Sequence, residues 1–182
     1  KQNVDYNFNV LCKATGFKTN DMVLSDQIHD DKYKIVNGSD RGKGIVLESD
    51  ICGIDALITN HKNIALCIFT ADCVPVFIFD TEKNVIALCH AGWRGVVKGI
   101  IYRTIDALVA EYGSNPQNIH AALGPSIGPC CFYVGQDVVV EFKNIFTDIN
   151  EIVIFEGGKT RIDLWKSVEM QLVMAGLNSE NI

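Results

Sequence analysis

The chain has 182 residues, of which 48% are hydrophobic and 21% charged, so it is long and apolar enough for one domain with a sizeable core. This composition excludes a disordered chain, and no stretch reaches the roughly 18 apolar residues of a membrane span. The formal net charge is -6 and there is no dense run of Lys or Arg, which excludes the electrostatic signature of a nucleic-acid or anionic-membrane binder. The expected partner is a small molecule or another protein.

The seven cysteines are an odd number and lack the regular spacing of a secreted disulfide framework. No basic segment with an apolar signal-peptide core precedes them. We therefore expect a reducing, cytoplasmic setting. Because the chain opens at Lys1 without an initiator Met, we also expect that a native N-terminal segment is missing.

The apolar pattern predicts an amphipathic helix, then a cluster of strands, then helices that alternate with a further strand. In chain order the predicted elements are a helix at 4–15, strands at 22–24, 34–36, 56–59, 64–69, 74–79 and 85–89, a helix at 97–112, a strand at 119–123, a helix at 137–145 and a last helix between Asp163 and Gly176. The strands from 56 to 89 are almost continuously apolar, which is typical of strands covered on both faces. Together these elements predict a layered α/β or α+β domain.

A thiol and an imidazole lie at the ends of two neighbouring predicted strands. Cys73 comes directly before Val74-Pro75, and His90 follows the next strand, so the two side chains can meet. His29, in a loop after a short strand, is a third potential ligand. One Cys and two His leave one position open, which is the ligand set of a catalytic zinc ion. Each residue alone is more often structural, and Cys73 with His90 alone would also fit a nucleophile activated by a base.

A glycine-rich segment around Trp93 and Arg94 opens the helix predicted after His90. Its backbone N–H groups and the guanidinium of Arg94 predict an anion site suited to phosphate or carboxylate. A second glycine- and proline-rich loop, at 124–129, allows close backbone approach and contains Ser126. We therefore assign Arg94, Trp93 and Ser126 to substrate binding, and Asp72 to orienting a ligand or moving a proton. Each assignment has a structural alternative. Arg94 would then hold a structural carboxylate, and Asp72 would cap a turn.

Five segments together form a recognisable pattern. They are Gln27-Ile28-His29, Asp55-Ala56-Leu57-Ile58-Thr59, Thr70-Ala71-Asp72-Cys73-Val74-Pro75, His90-Ala91-Gly92-Trp93-Arg94-Gly95 and Leu123-Gly124-Pro125-Ser126-Ile127-Gly128-Pro129-Cys130-Cys131. In this order they resemble the YfiH/YlmD family, which includes the mammalian laccase-domain protein. The resemblance covers nearly the whole chain, and the segments containing Cys73 and His90 are highly specific as a pair.

The resemblance implies a single-domain α+β sandwich over residues 1–182, with a mixed β-sheet flanked by helices. It implies that His29, Cys73 and His90 are zinc ligands, and that the protein is a purine nucleoside phosphorylase. The implied substrates are phosphate and adenosine, guanosine, inosine or methylthioadenosine, and adenosine deaminase activity is implied as well. We expect Cys73, His90 and Asp72 at the catalytic centre, where zinc would lower the pKa of a bound water toward about 7 and so produce the hydroxide that attacks C6 of adenosine.

Two other activities stay open at this point. A metal-free hydrolase would use His90 to activate Cys73, with backbone N–H groups near Gly124 as the oxyanion hole. Copper-dependent polyphenol oxidation, with copper in place of zinc, fits an older description of the family, but four histidines are too few for several copper centres. The sequence also departs from the family at Asp30, where glycine is usual, and we expect closing segments beyond residue 182 to be absent.

Overall fold

In a computed structural model of the protein, the backbone is described for residues 2–182 and the side chains from residue 3 onward. The elements are, in chain order, α1 Gln2–Thr15, β1 Met22–Leu24, β2 Tyr33–Ile35, β3 Ala56–Thr59, β4 Ala65–Cys67, β5 Val74–Asp80, β6 Val85–Ala91, α2 Trp93–Lys98, α3 Ile100–Tyr112, β7 Ile119–Leu123, α4 Gln136–Ile145, β8 Val153–Glu156, β9 Lys159–Ile162 and α5 Leu164–Met174. This is the α+β domain with a mixed sheet flanked by helices that the sequence predicts.

Five strands form the central sheet in the order β2-β3-β6-β5-β7. β2 and β3 run parallel, and the remaining neighbours run antiparallel. The start of β5 therefore lies beside the end of β6, where Pro75 pairs with His90. This antiparallel pairing brings the segment before β5 next to the end of β6.

Helices cover one face of the sheet and form the main core with it. Alternate residues of the central strands point to this face and are at most 3% exposed: Val74, Val76 and Ile78 from β5, and Val85, Ala87 and Cys89 from β6. Ile101, Ile105 and Leu108 of α3 lie in the same core cluster. Burying one such side chain contributes about 1.5–3 kcal/mol, so this layer holds the sheet rigidly beneath the site.

The opposite face of the sheet is only partly covered, which corrects the prediction that the central strands are buried on both sides. A smaller cluster that includes Val23, Val36 and Leu57 packs over the β3 side. Towards β7 the face is an open apolar groove of about 420 Å³, where Phe77 and Phe79 are 52% and 43% exposed. Continuous hydrophobicity predicted these strands well but did not show which faces would be packed.

The helix predicted over 97–112 is two helices. α2 already begins at Trp93, inside the glycine-rich segment, and ends at Gly99, whose φ of 91° is the left-handed conformation that terminates it. α3 then runs to Gly113, the predicted stop, which is also left-handed. Gly99 marks the break because a left-handed residue interrupts the intrahelical hydrogen bonds.

Two smaller differences concern the ends of the domain. The predicted first helix forms, but its apolar residues Val4, Val10 and Leu11 are about half exposed, and so it does not bury an apolar face in the core. The β8–β9 hairpin was not predicted at all.

No helix within residues 2–182 is both long and apolar enough to cross a membrane.

Candidate metal centre

Three side chains with metal-binding atoms converge at the edge of the sheet. They are His29 from the loop between β1 and β2, Cys73 directly before β5, and His90 near the end of β6, and their ligand atoms all lie within 4.8 Å of one another. The rings of His29 and His90 meet edge to face, with centroids 4.7 Å apart. No second group of three or more such side chains is close enough to hold an ion in the part of the chain that the structure describes.

Asp55, directly before β3, organises two of these residues. Its carboxylate is fully buried and accepts hydrogen bonds from the backbone N–H groups of Ile28, His29 and Asp30 at 2.9–3.2 Å. It also contacts Nδ1 of His90 at 2.8 Å. Because Nδ1 faces a carboxylate, it carries the proton, and Nε2 is left as the nitrogen that can bind a metal.

The same carboxylate explains the unusual backbone of the first ligand. His29 has a φ of 61°, in the left-handed region that a non-glycine residue seldom adopts. Three consecutive N–H groups that point at one carboxylate hold the loop in this conformation. The cost of the strained backbone, about 1–3 kcal/mol, is offset by these charge-assisted hydrogen bonds.

Gly92 leaves room for the cluster. A Cβ at this position would lie 2.9 Å from Sγ of Cys73 and 3.0 Å from Cδ2 of His29, too close for either atom to stay in place. Its own φ of -72° is ordinary, so glycine is needed here for space and not for backbone freedom. The first glycine of the segment after His90 is therefore part of the site.

The electrostatics of the buried ligand are set by its neighbours. Burial alone would lower the pKa of His90, but the Asp55 carboxylate and the Cys73 thiol favour the charged ring and raise the pKa to about 9. Burial would raise the pKa of Asp55, yet the contact with His90 and the three backbone N–H groups outweigh it and leave that pKa below its usual value. Without a cation the pair is thus an imidazolium and a carboxylate, and an incoming cation takes the place of a proton.

The cluster opens into a cavity of about 610 Å³. Its lining includes Asp26, Gln27, Phe69, Asp72 and the three clustered residues. Phe69 is 63% exposed, and its backbone is held by Gln27, whose side chain makes one hydrogen bond to the N–H and another to the carbonyl of Phe69. A small molecule in this cavity would meet an aromatic ring, a carboxylate and the three ligands.

The remaining predicted residues lie around the cluster at different distances from the cavity. Asp72 lines the cavity, and its carbonyl accepts the N–H of Ile127 at 3.0 Å. Arg94 is exposed and stacks on Trp93, with its guanidinium carbon 4.3 Å from the ring centroid, and neither residue belongs to the cavity lining. Ser126 is also outside the lining, and its hydroxyl accepts a hydrogen bond from the indole of Trp165 at 2.6 Å.

Asp30, the residue that follows the first candidate ligand, pairs its charge with two lysines. Its carboxylate accepts a 2.7 Å hydrogen bond from Lys98 and lies 3.6 Å from Lys32. The bond from Lys98 holds the pKa of Asp30 below its usual range. The negative charge of Asp30 is thus paired with lysines beside the ligand loop.

Sequence reasoning gave no role to Asp55, Phe69 or Gln27. Asp55 had a visible signal, because it directly precedes an apolar strand. A carboxylate buried at such a position needs hydrogen-bond partners. Phe69 had none, because an aromatic residue at the end of an apolar segment is usually assigned to the core.

The fold and this cluster define an α+β domain with a candidate His-Cys-His metal site. Residues 1–182 match the family described as multi-copper polyphenol oxidoreductase laccase, and the chain belongs to that family. A crystal structure of the Bacillus licheniformis hypothetical protein YfiH has a TM-score of 0.91 and 31% identity, covering 100% of this chain and 69% of that chain. The resemblance to the YfiH/YlmD family is thereby confirmed.

Two curated relatives have named activities. A purine nucleoside phosphorylase of Bacteroides thetaiotaomicron is 35% identical over 165 residues, which is 89% of this chain and 61% of that protein. Adenosine deaminase RL5, from an unknown prokaryotic organism, is 35% identical over 175 residues, 94% of this chain and 66% of that protein. The chain thus spans less than two thirds of the length of these relatives.

Proposed function

We propose that the protein is a zinc-dependent purine nucleoside phosphorylase that also deaminates adenosine. The observation that carries the proposal is a His-Cys-His cluster that opens into a cavity of about 610 Å³ with an exposed phenyl ring on its wall. The names of the two relatives supply the substrates, a purine nucleoside and phosphate. Seven free cysteines support the reducing, cytoplasmic setting that we propose for it.

The donor set fits zinc better than it fits magnesium or calcium. Two imidazole nitrogens and one thiolate are ligands that zinc accepts, whereas magnesium and calcium prefer oxygen. Asp55 fixes the tautomer of His90, and Gly92 keeps the space between Cys73 and His29 open. When bound there, zinc supplies a Lewis acid and an activated water nucleophile.

The chain's own residues provide orientation and proton transfer. We assign Phe69 to stacking on the purine base, since its ring is exposed in the cavity and its backbone is fixed by Gln27. Asp72 is our candidate for moving a proton to or from the purine as the bond to C1′ of the ribose breaks. Arg94 remains our proposed phosphate contact, because its guanidinium is exposed on the first turn of α2.

The metal-free hydrolase is less well supported than the metal site. A dyad of Cys73 and His90 needs no second imidazole, yet Asp55 holds the strained loop that brings His29 to the other two residues. Stoichiometric zinc that protects Cys73 from alkylation would exclude the dyad. Rapid alkylation of Cys73 in the zinc-loaded protein would favour it.

The test is to incubate the zinc-loaded, full-length protein with adenosine, with and without phosphate, and to resolve the products by chromatography. We expect inosine in both reactions and adenine only with phosphate. Cys73→Ala should abolish both products, whereas Cys52→Ala, which changes an exposed cysteine outside the cluster, should leave them unchanged. Absence of both products, or equal rates in Cys73→Ala, would refute the proposal.

A second variant tests the assignment of the aromatic wall. Phe69→Leu keeps an apolar side chain but removes the ring that we expect to stack on the base, an interaction worth about 0.5–1.5 kcal/mol. We expect a roughly 2- to 10-fold rise in KM for adenosine with little change in the KM for phosphate. An unchanged KM for adenosine would remove Phe69 from the substrate site.

A further inference from the structure

Two adjacent thiols lie on the loop between β7 and α4. Cys130 and Cys131 are both exposed, and their sulfur atoms are 2.8 Å apart. Neither belongs to the cluster of His29, Cys73 and His90. The proposed purine chemistry therefore leaves this pair without a role.

The surrounding backbone holds the pair in place. The N–H of Cys131 donates to the carbonyl of Gly128 at 3.0 Å, and the N–H of Tyr133 donates to the carbonyl of Cys131 at 3.0 Å. Arg161, on β9, donates to the carbonyl of Cys130 at 3.1 Å. Three hydrogen bonds thus fix the peptide that carries both thiols and place a guanidinium beside them.

The Cys131 thiol holds its proton more firmly than an ordinary cysteine. Hydrogen bonding to Cys130 raises the pKa of the Cys131 thiol, burial adds to this effect, and the positive charge of Arg161 opposes it. Cys131 therefore keeps its proton and can donate to the neighbouring sulfur. We take Cys131 as the thiol that resolves the mixed disulfide, because its raised pKa keeps it protonated, and Cys130 as its partner in the ring.

We propose that Cys130 and Cys131 are a redox modification site that forms a reversible disulfide between adjacent residues, with a small-molecule disulfide such as oxidised glutathione as the oxidant. The Cys130 thiolate attacks one sulfur of the oxidant, forms a mixed disulfide and releases one thiolate, which takes up a proton. The Cys131 thiol then loses its proton and attacks the sulfur of Cys130, releasing the second thiol. Two cysteine thiols are oxidised to one disulfide, and the oxidant is reduced to two thiols.

Covalent geometry makes this bond easy to reverse. A trans peptide holds adjacent Cα atoms about 3.8 Å apart, whereas Cα atoms joined by a disulfide are usually about 4.4–6.8 Å apart. The ring formed by Cys130 and Cys131 is therefore compressed, and its exposed position allows a reductant to reach it. Strained, exposed disulfides are the reducible, regulatory ones.

The loop also connects the pair to the candidate metal centre. Ile127, three residues before Cys130, donates its N–H to the carbonyl of Asp72, which precedes Cys73. Closing the ring brings the sulfur atoms from 2.8 Å to about 2.05 Å and so strains the peptide between them, whose N–H bonds to Gly128, the neighbour of Ile127. Oxidation is therefore expected to change the cavity wall at Asp72. The effect of that change on purine turnover rests on the proposed function.

The test is to equilibrate the zinc-loaded full chain in glutathione buffers of graded oxidation, trap free thiols with N-ethylmaleimide and measure the peptide masses. We expect the peptide containing both cysteines to become two hydrogen atoms lighter, to take up no maleimide, and to revert with dithiothreitol. Cys52→Ser should behave in the same way, whereas Cys131→Ser should form only a mixed disulfide with glutathione. A wild-type peptide that takes up two maleimides at every ratio, or carries only glutathione, would overturn the proposal.

Purine turnover gives a separate readout of the link to the cavity. Oxidised wild type should lose activity in step with ring formation and recover it on reduction, while Cys131→Ser should show no such reversible loss. If the ring forms and turnover does not change, the link to Asp72 is refuted. If no turnover occurs in any sample but the ring forms, the proposed function fails and the redox site stands.

Discussion

Asp55→Asn is the most direct test of how the candidate metal centre is built. The substitution keeps the size of the side chain but replaces one carboxylate oxygen by an NH₂ group, which only donates. In the native site, Oδ2 accepts from the N–H groups of Ile28 and Asp30, and Oδ1 accepts from the N–H of His29 and contacts Nδ1 of His90. Neither orientation of an amide can satisfy all four groups.

The two orientations fail differently. If the amide oxygen takes the place of Oδ2, the NH₂ group faces the N–H of His29 and forces Nδ1 of His90 to become an acceptor, which moves the ring proton to Nε2. If the oxygen takes the place of Oδ1, the N–H groups of Ile28 and Asp30 face a donor. Since an unsatisfied donor costs about 1–3 kcal/mol, we expect unfolding free energy to fall by about 2–4 kcal/mol.

The expected effect on zinc follows from the same geometry. Loss of a carboxylate behind a metal-binding histidine typically costs 10- to 100-fold in affinity, or about 1.4–2.7 kcal/mol. Competition with a chromogenic chelator measures the affinity, and urea unfolding of the metal-free protein measures the stability separately. Asp106→Asn, an exposed carboxylate on α3, is the matched control and should change neither quantity. Zinc affinity within twofold of wild type in Asp55→Asn would show that Asp55 does not set the tautomer of His90.

Two further predictions concern space and pH. Gly92→Ala should weaken zinc binding at least about 10-fold, because the added methyl group would lie 2.9 Å from Sγ of Cys73. The control is Gly38→Ala, where an added Cβ would meet no atom within 4 Å, and it should bind zinc as wild type does in the same chelator titration. Burial raises the pKa of Asp40, but hydrogen bonds from the N–H of Asn37 and from Lys43 outweigh it, so its pKa is lowered in the folded state. Its stabilising effect is therefore fully present above the unfolded pKa of about 3.9 and is lost as the pH falls through the lower folded value. Urea unfolding between pH 6 and about 3 should show a smaller acid-dependent loss for Asp40→Asn than for wild type, and equal slopes would contradict this assignment.

The strands that frame the site could be predicted because their residues give a local signal. The segments 56–59 and 119–123 were predicted with the bounds that the structure has, since each is an apolar run closed by polar or turn-forming residues. The pairing of β5 with β6 also follows from the short connection between them. Cys73 and His90 could therefore be expected to meet before the structure was known.

His29 could be named as a potential ligand, but neither its approach to the cluster nor its support by Asp55 could be predicted in the same way. His29 reaches the cluster through a left-handed backbone that depends on a carboxylate 26 residues away. A hydrogen bond between distant segments leaves no periodic pattern in the sequence, so the sequence places Asp55 in a motif but gives it no role. The β8–β9 hairpin is different, because Gly157-Gly158, with φ of 58° and 74°, is a two-residue turn that the sequence itself signals.

The glycines after His90 gain a physical explanation from the ligand loop. The sequence favoured an anion site at the start of α2, where glycine would expose backbone N–H groups. In the structure, a Cβ on Gly92 would clash with Cys73 and His29, and a Cβ on Gly95 would lie 3.1 Å from the carbonyl oxygen of Asp30. Both glycines thus let the first turn of α2 approach the loop that carries His29, while Asp55 fixes the same loop from the strand side. The short glycine-rich segment is therefore explained by the close packing that brings three ligands together, whether or not an anion also binds at Arg94.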